Sequence, residues 1–477
     1  MKPAGDMLGK IRGPMSTIYN RAMLGLVILC VGMCAVVVWS NINARVIPDK
    51  DAPKFYLGPT FPMGIVAGHD FWITYSYSRI LTQGYNANRL PENVSQTLKN
   101  YFIGPRGVTA YPPFVFALYA PYTLLPYPSA YSIHAGVLFL ANLLAVWLAC
   151  RMFARGILRH LGGEGVTGMA GNGMVEFLMV AVFGLVSLVN VASYGYLFSV
   201  ERGNSDAIAI CLVTLFLYVL INKPDWIWTQ VILLSMAIHL KVTPVLFCSI
   251  LLWRYGWKCI VQLCLTNVFF LMIMGLGNAE IFIRGILQFN ANPGGWWGDH
   301  SSYSFADTVL RPLGYSLSLS KTVISWGALV LWATAFIVLW RRGLTGVNVL
   351  LVYCVSVPVM MVFPSSSNDY KLVMLAGPIA VILGGFLCNF VLFARWGAVA
   401  GAILTMSLLL PIMTSGGLFH SLLFVNKCPS IIAFMLIVMW AVVRPQGVFD
   451  SSVVRSVAIQ SAEIPETNRS SRKKNRR

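Results

Sequence analysis

Residues 22–40, AMLGLVILCVGMCAVVVWS, carry no charged side chain. They are long enough to cross a bilayer, which takes about 20 apolar residues. Runs of this kind recur almost to the end of the chain and restrict the fold more than any other feature. Lipid offers no hydrogen-bond partners, so such runs must satisfy their backbone groups inside helices. The expected fold is therefore all-α and polytopic. Only 11% of residues are charged, against about 25% in a soluble domain.

Spans are expected near 22–40, 132–150, 175–193, 204–222, 227–240, 244–254, 258–276, 322–340, 346–363, 371–394, 397–415 and 429–444. That is about 12 transmembrane helices, with both termini on one side. The 111–126 stretch (YPPFVFALYAPYTLLP) is apolar but short and interrupted by prolines. It is expected as a re-entrant or broken helix packed on the protein. Stretches 227–240 and 244–254 meet at Lys241-Val242-Thr243-Pro244, and read either as two spans or as one broken helix.

The formal net charge is +18. The basic residues lie between apolar runs rather than on one soluble domain, which excludes nucleic acid as a partner and makes them topology signals. Arg151, Arg155, Arg159, Lys223, Arg254, Lys258, Arg341, Arg342 and Arg395 fall on the side of the N-terminus in this scheme. Both termini are then cytoplasmic, and the loops 41–110 and 277–321 face outward. Residues 1–450 form one transmembrane domain. Residues 451–477, ending RSSRKKNRR, are expected as a disordered basic cytoplasmic tail against anionic lipid. The first apolar run is too long for a cleaved signal and reads as a signal-anchor. The ten cysteines form no CxxC pair and no His-Cys cluster. They read as small buried hydrophobes, not as metal ligands or disulfides; no metal and no cofactor are expected.

The outer loops hold the chemistry. Asp70 is the only acid between Asp51 and Glu92, and FWITYSYSRILTQGY (71–85), suited to an amphipathic interfacial helix, follows it. A carboxylate at the membrane surface points to a lipid-linked substrate; the plainer alternatives are a solvated loop acid or a helix N-cap. Lys241, among apolar residues, is costly unless it faces a polar cavity. It reads as a phosphate ligand with His239 nearby, or as a lysine snorkelling to headgroups. Glu201-Arg202 reads as a local ion pair or cap opening a span, and Asp369-Tyr370-Lys371 as an outward helix start. Arg284 and Arg311 are weaker candidates, and Trp296-Trp297 is an interfacial anchor or a sugar-stacking platform.

These residues occur in a recognisable order. Asp70, Tyr75, Tyr77 and Gly84-Tyr85 come first, then Tyr111-Pro112-Pro113, Pro121, Leu125-Pro126 and Ala130. Glu201-Arg202-Gly203-Asn204 follows, then Leu234 to Pro244 (LSMAIHLKVTP), then Ser366 to Lys371 (SSNDYK). The series, covering roughly residues 65–380, resembles the integral-membrane glycosyltransferases of the GT-C superfamily. The similarity is to the GT87-like branch that includes polyprenyl-phosphate-mannose-dependent mannosyltransferases. The resemblance implies a GT-C-like fold in a bacterial inner membrane, a polyprenyl-phosphate sugar donor, and a glycan or glycolipid acceptor on the extracytoplasmic face. It makes Asp70 the catalytic residue. His69, Lys241, His239, Glu201, Arg202, Asn204, Asp369, Tyr370 and Lys371 become substrate-binding candidates. Many relatives have paired acids where this chain has His69-Asp70, which argues against a carboxylate-bound metal.

The chemistry agrees with the resemblance. A lipid phosphate leaves as a stable anion without a general acid. One base for the acceptor hydroxyl and cations for the phosphate suffice, with inversion if displacement is direct. The alternatives are a flippase for lipid-linked glycans, or an O-antigen-type ligase or polymerase using a lipid-pyrophosphate donor. A transporter predicts internal pseudo-symmetry, and none is evident in the sequence.

Overall fold

The computed structural model describes residues 23–37, 69–84, 111–161, 169–291, 299–364, 366–393, 396–413 and 426–443. Among these residues the chain is all-helical, without a strand, and an isolated antiparallel bridge joins Asp299 to Asn368. In chain order the helices are α1 (Met23–Val37), α2 (His69–Thr82), α3 (Pro113–Tyr119), α4 (Tyr127–Leu161), α5 (Met169–Val191), α6 (Tyr194–Arg202), α7 (Asp206–Asn222) and α8 (Ile227–Leu240). They continue with α9 (Cys248–Tyr255), α10 (Lys258–Met272), α11 (Leu276–Ala291), α12 (Ser302–Phe305), α13 (Leu317–Arg342), α14 (Gly346–Val362), α15 (Ala376–Phe393), α16 (Trp396–Met413) and α17 (Cys428–Val443). Stretches of 3-10 helix extend α3 (Ala120–Leu124) and precede α9 (Thr243–Phe247) and α15 (Asp369–Leu375).

Among the described residues four helical stretches are long and apolar enough to cross a bilayer: Tyr127–Leu158, Gly173–Val191, Leu317–Arg342 and Asp369–Phe390. Two bent pairs, α6 with α7 (107°) and α10 with Leu276–Leu287 (100°), raise the number to 6. Several of the twelve expected spans are, within the described residues, apolar helices of 10–17 residues. The 14 residues of α8 reach about 21 Å, less than the ~30 Å hydrocarbon core.

Packing separates inner helices from outer ones. Every residue of α14 from Val349 to Val362 is buried, as an apolar helix surrounded by protein should be. By contrast α13 leaves Val323, Trp326, Val330 and Trp340 exposed, the pattern of a lipid-facing helix. A hydrogen bond from Asn190 Nδ2 to Asn142 Oδ1 (2.9 Å) ties α4 to α5 in the core, the kind of polar contact that joins helices in lipid.

The two ends of the bundle differ in charge. At one end the starts of α2 and α7, the ends of α6 and α8, and segment 369–375 converge. At the other, Arg155 donates to the Tyr218 hydroxyl (3.0 Å) near the end of α7, the Tyr255 hydroxyl donates to the Pro224 carbonyl, and Arg342 donates to the Val442 carbonyl. Lys223, Arg254 and Arg341 adjoin these residues in the chain, so this second end is basic.

Candidate active site

Asp70 lies in the first turn of α2, where the helix dipole favours a carboxylate. The sequence here suits an amphipathic interfacial helix, but α2 is instead embedded: Phe71, Ile73, Thr74, Tyr75, Tyr77, Ser78 and Ile80 are all buried. The reason is aromatic packing. Phe71 meets Tyr75, Tyr119, Tyr122 and Tyr127, and stacks on His134 at 4.5 Å between centroids. Each such pair adds about 0.5–1.5 kcal/mol beyond burial. Hydroxyls then fix the register: Tyr75 donates to the Leu125 carbonyl (2.8 Å) and Tyr77 to Asn278 Oδ1 (3.0 Å). The 111–126 stretch, a short broken helix, thereby clamps the helix that carries Asp70.

The second component is the bend between α6 and α7. Gly203 ends α6 at φ 66°, a left-handed conformation that costs glycine nothing. Glu201 and Arg202 therefore close a helix rather than open one. They are not a local ion pair either: Arg202 Nη2 donates to Asp70 Oδ1 at 2.6 Å. Asn204 Nδ2 donates to Asp70 Oδ2 at 3.0 Å, and its Oδ1 accepts from the Asp206 amide at 3.2 Å. His134 Nε2 reaches the Gly203 carbonyl at 3.1 Å. One ring thus supports both Phe71, beside Asp70, and Gly203, beside Arg202.

Lys241 is the third component. Pro244 has no N–H for the Leu240 carbonyl and its ring would clash there in a continued helix; α8 stops at Leu240 with Lys241 extended (φ −149°, ψ 125°). The Lys241 ammonium lies 3.5 Å from Asp206 Oδ2, 5.5 Å from the centre of the Tyr111 ring and 5.6 Å from that of Tyr370. This is a cage of one carboxylate and two aromatic faces. Burial pushes the Tyr111 phenol well above its ordinary pKa, and the Asp70 charge adds to that. Tyr111 thus stays a neutral donor.

The segment 366–371 closes the site. Asn368 Nδ2 donates to the Tyr370 hydroxyl (2.7 Å), and Lys371 Nζ to the Ser366 carbonyl (2.7 Å). Asp369 does not cap its helix; its Oδ1 pairs with His300 Nε2 at 2.8 Å. His300 Nδ1 accepts from the Lys427 amide (3.1 Å), which leaves Nε2 to carry the proton toward Asp369. Asp299 Oδ1 accepts from the Ser301 and Ser367 amides. Residues 299–301 are thus a latch joining segments 366–369 and 426–427.

Asp70, Arg202, Asn204, Lys241, Tyr370 and Lys371 gather at one end of the bundle, with Asp369 beside them and Glu201 buried next to Arg202. His239 does not join this group: its contacts are with Phe114, Phe270 and Asn267. Of His69 only the backbone, at the start of α2, is described. Arg284 pairs with Glu280 and Arg311 with Asp307 on exposed surface. Trp296-Trp297 and the 451–477 tail lie outside the described residues. Four residues escaped the sequence assignment of roles: Asp206, Tyr111, His134 and His300. Two of them carried a signal: Tyr111 stands in the Tyr111-Pro112-Pro113 motif, and Asp206 is an acid one turn past a helix-ending Gly. Among the described residues no group of three or more His, Cys, Asp or Glu is placed to hold a metal ion.

Ionised side chains buried at apolar helix ends, in a bundle with several bilayer-length helices, define a multi-pass membrane protein with a polar, carboxylate-bearing site. The chain belongs to glycosyltransferase family 87, whose family model matches residues 109–365, and it is accordingly a helical membrane glycosyltransferase. The matched region includes Glu201, Arg202, Asn204, His239 and Lys241; His69, Asp70 and Asp369–Lys371 lie outside it. No curated protein matches the chain significantly.

Proposed function

We propose that the protein moves a sugar from a polyprenyl-phosphate carrier to a hydroxyl of a glycan or glycolipid. Asp70 acts as the general base. The acceptor O–H loses its proton to the Asp70 carboxylate while its oxygen attacks the anomeric carbon. The bond from that carbon to the phosphate oxygen breaks, and the electron pair leaves with the lipid phosphate, giving inversion. The observation that carries this assignment is the position of Asp70, held by Arg202 and Asn204 in the same group of helix ends as Lys241 and Lys371. A carboxylate has about four lone-pair sites. Arg202 Nη2 and Asn204 Nδ2 each engage one oxygen and fix the orientation of the carboxylate. Arg202 being committed to Asp70, Lys241 and Lys371 are the cations for the phosphate.

The basic far end supports a cytoplasmic placement for that end, and so an extracytoplasmic site, by the positive-inside rule. A bacterial inner membrane, with its polyprenyl carriers, fits this arrangement. The 14 residues of α8 are fewer than a bilayer crossing needs, which supports a Lys241 recessed from the membrane surface, where charge interactions are stronger than in water. Membership of a glycosyltransferase family favours transfer over flipping, and a site with cations for one phosphate favours a monophosphate over a pyrophosphate donor. The test is an assay of purified protein with a panel of polyprenyl-phosphate sugars and polyprenyl-pyrophosphate sugars. Product from the first set only is the expected result; product from the second set only assigns the protein to the ligase or polymerase class.

A further inference from the structure

Asp206 has no part in the reaction above, yet it is a buried carboxylate in the middle of the site. It is 1% exposed, in the first turn of α7, and neither of its oxygens accepts a hydrogen bond from a described residue. Its ion partner is Lys241, at 3.5 Å, longer than a good charge-assisted hydrogen bond. Its charge also acts on Tyr111, Tyr119, Tyr370 and Lys371. A carboxylate kept this dry and this loosely bonded is costly. Lys241 has the complementary difficulty, since a lysine at membrane depth needs an anion whenever the site is empty.

We propose that Asp206 is the resident counter-anion of Lys241 and is exchanged for the phosphate of the lipid donor. Without donor, Asp206 holds the ammonium between the rings of Tyr111 and Tyr370. When donor enters, the phosphate takes over Lys241, and the displaced carboxylate faces the arriving sugar, whose hydroxyls can donate to its unused lone pairs. No bond is made or broken in the exchange. It rests on the phosphate-binding role proposed above for Lys241. It makes a prediction of unusual sign, because removing an acid from the site should strengthen binding. Were Asp206 only a packing or folding residue, its removal would weaken binding or leave it unchanged.

The test uses the full chain in detergent, with farnesyl phosphate as the probe and farnesol as the uncharged control, followed by thermal unfolding and by equilibrium binding. Asp206→Asn and Asp206→Ser should each bind farnesyl phosphate at least about tenfold more tightly than wild type, the lower end of coupling for close charge pairs. Asp206→Asn combined with Lys241→Gln should show no gain. Where a charge-removing variant is less stable alone, the probe should raise its Tm more than it raises that of wild type, since a ligand stabilises the state that binds it best. Farnesyl phosphate binding wild type and both single variants equally, with equal Tm gains, overturns the exchange and leaves the phosphate site standing. Farnesyl phosphate matching farnesol in all forms overturns both.

Discussion

Arg202 donates to Asp70 across 132 residues of sequence, Nη2 to Oδ1 at 2.6 Å. The pair is three-quarters or more buried, with side chains 18% and 9% exposed. It fastens the end of α6 to the start of α2, and Asn204 secures the other carboxylate oxygen. Arg202→Lys keeps the charge but loses the planar fork. Turnover should fall about 10- to 100-fold, the worth of a hydrogen bond to a charged group. Arg202→Ala strands a buried carboxylate and should cost about 3–5 kcal/mol of stability. Thermal unfolding beside initial-rate measurements separates the two effects, and a fully active, fully stable Arg202→Ala contradicts the pairing.

Gly195 permits the contact between α6 and segment 369–375. A Cβ there would lie 2.9 Å from Leu372 Cβ and 3.0 Å from the Asp369 carbonyl oxygen. Gly195→Ala should cost about 1–3 kcal/mol through overpacking. It should also move Tyr370 away from Lys241, so that donor KM rises in the protein that remains folded. An unchanged Tm would show that the two segments can part freely.

Lys241→Ala should raise donor KM while the protein stays folded, because a cation facing the phosphate is lost. Lys241→Arg should recover only part of the effect, since a guanidinium fits poorly in a cage shaped for an ammonium. A donor KM and kcat equal to wild type in Lys241→Ala removes Lys241 from the donor site.

Topology has its own test. Single cysteines introduced at positions 92 and 160 of a cysteine-free variant should react with a membrane-impermeant maleimide from opposite faces of the membrane. Reaction from the same face contradicts the assignment of the basic end to the cytoplasm.

Much of this architecture is legible in the sequence, for reasons that differ by residue. Apolar runs announce helices because lipid leaves the backbone no other solution. Lys241 stood out because charge among apolar residues needs a cause. The span count was harder: α8 and α14 are as apolar as bilayer-crossing helices but shorter, and apolarity alone does not report depth. Glu201-Arg202 misled because the cue was Gly203, which ends a helix, whereas the acid-base pair looked like a beginning. The Asp70–Arg202 contact and the His300–Asp369 latch join segments far apart in the chain, and no local period encodes them. His134 was invisible for the same reason, being a histidine inside a long apolar helix that supports two distant segments at once.

The most direct measurement is turnover of Asp70→Asn with a polyprenyl-phosphate sugar, compared with Glu92→Gln, an acid of the same sequence loop. Asparagine keeps the shape and can still accept from Arg202, but it cannot take the acceptor proton. Loss of a general base costs about 10²–10⁴-fold, so kcat should fall by that factor with donor affinity nearly unchanged, while Glu92→Gln stays at the wild-type rate. Wild-type turnover by Asp70→Asn contradicts the assignment of the base and moves it to another acid of the site, with Glu201 and Asp369 the first to examine.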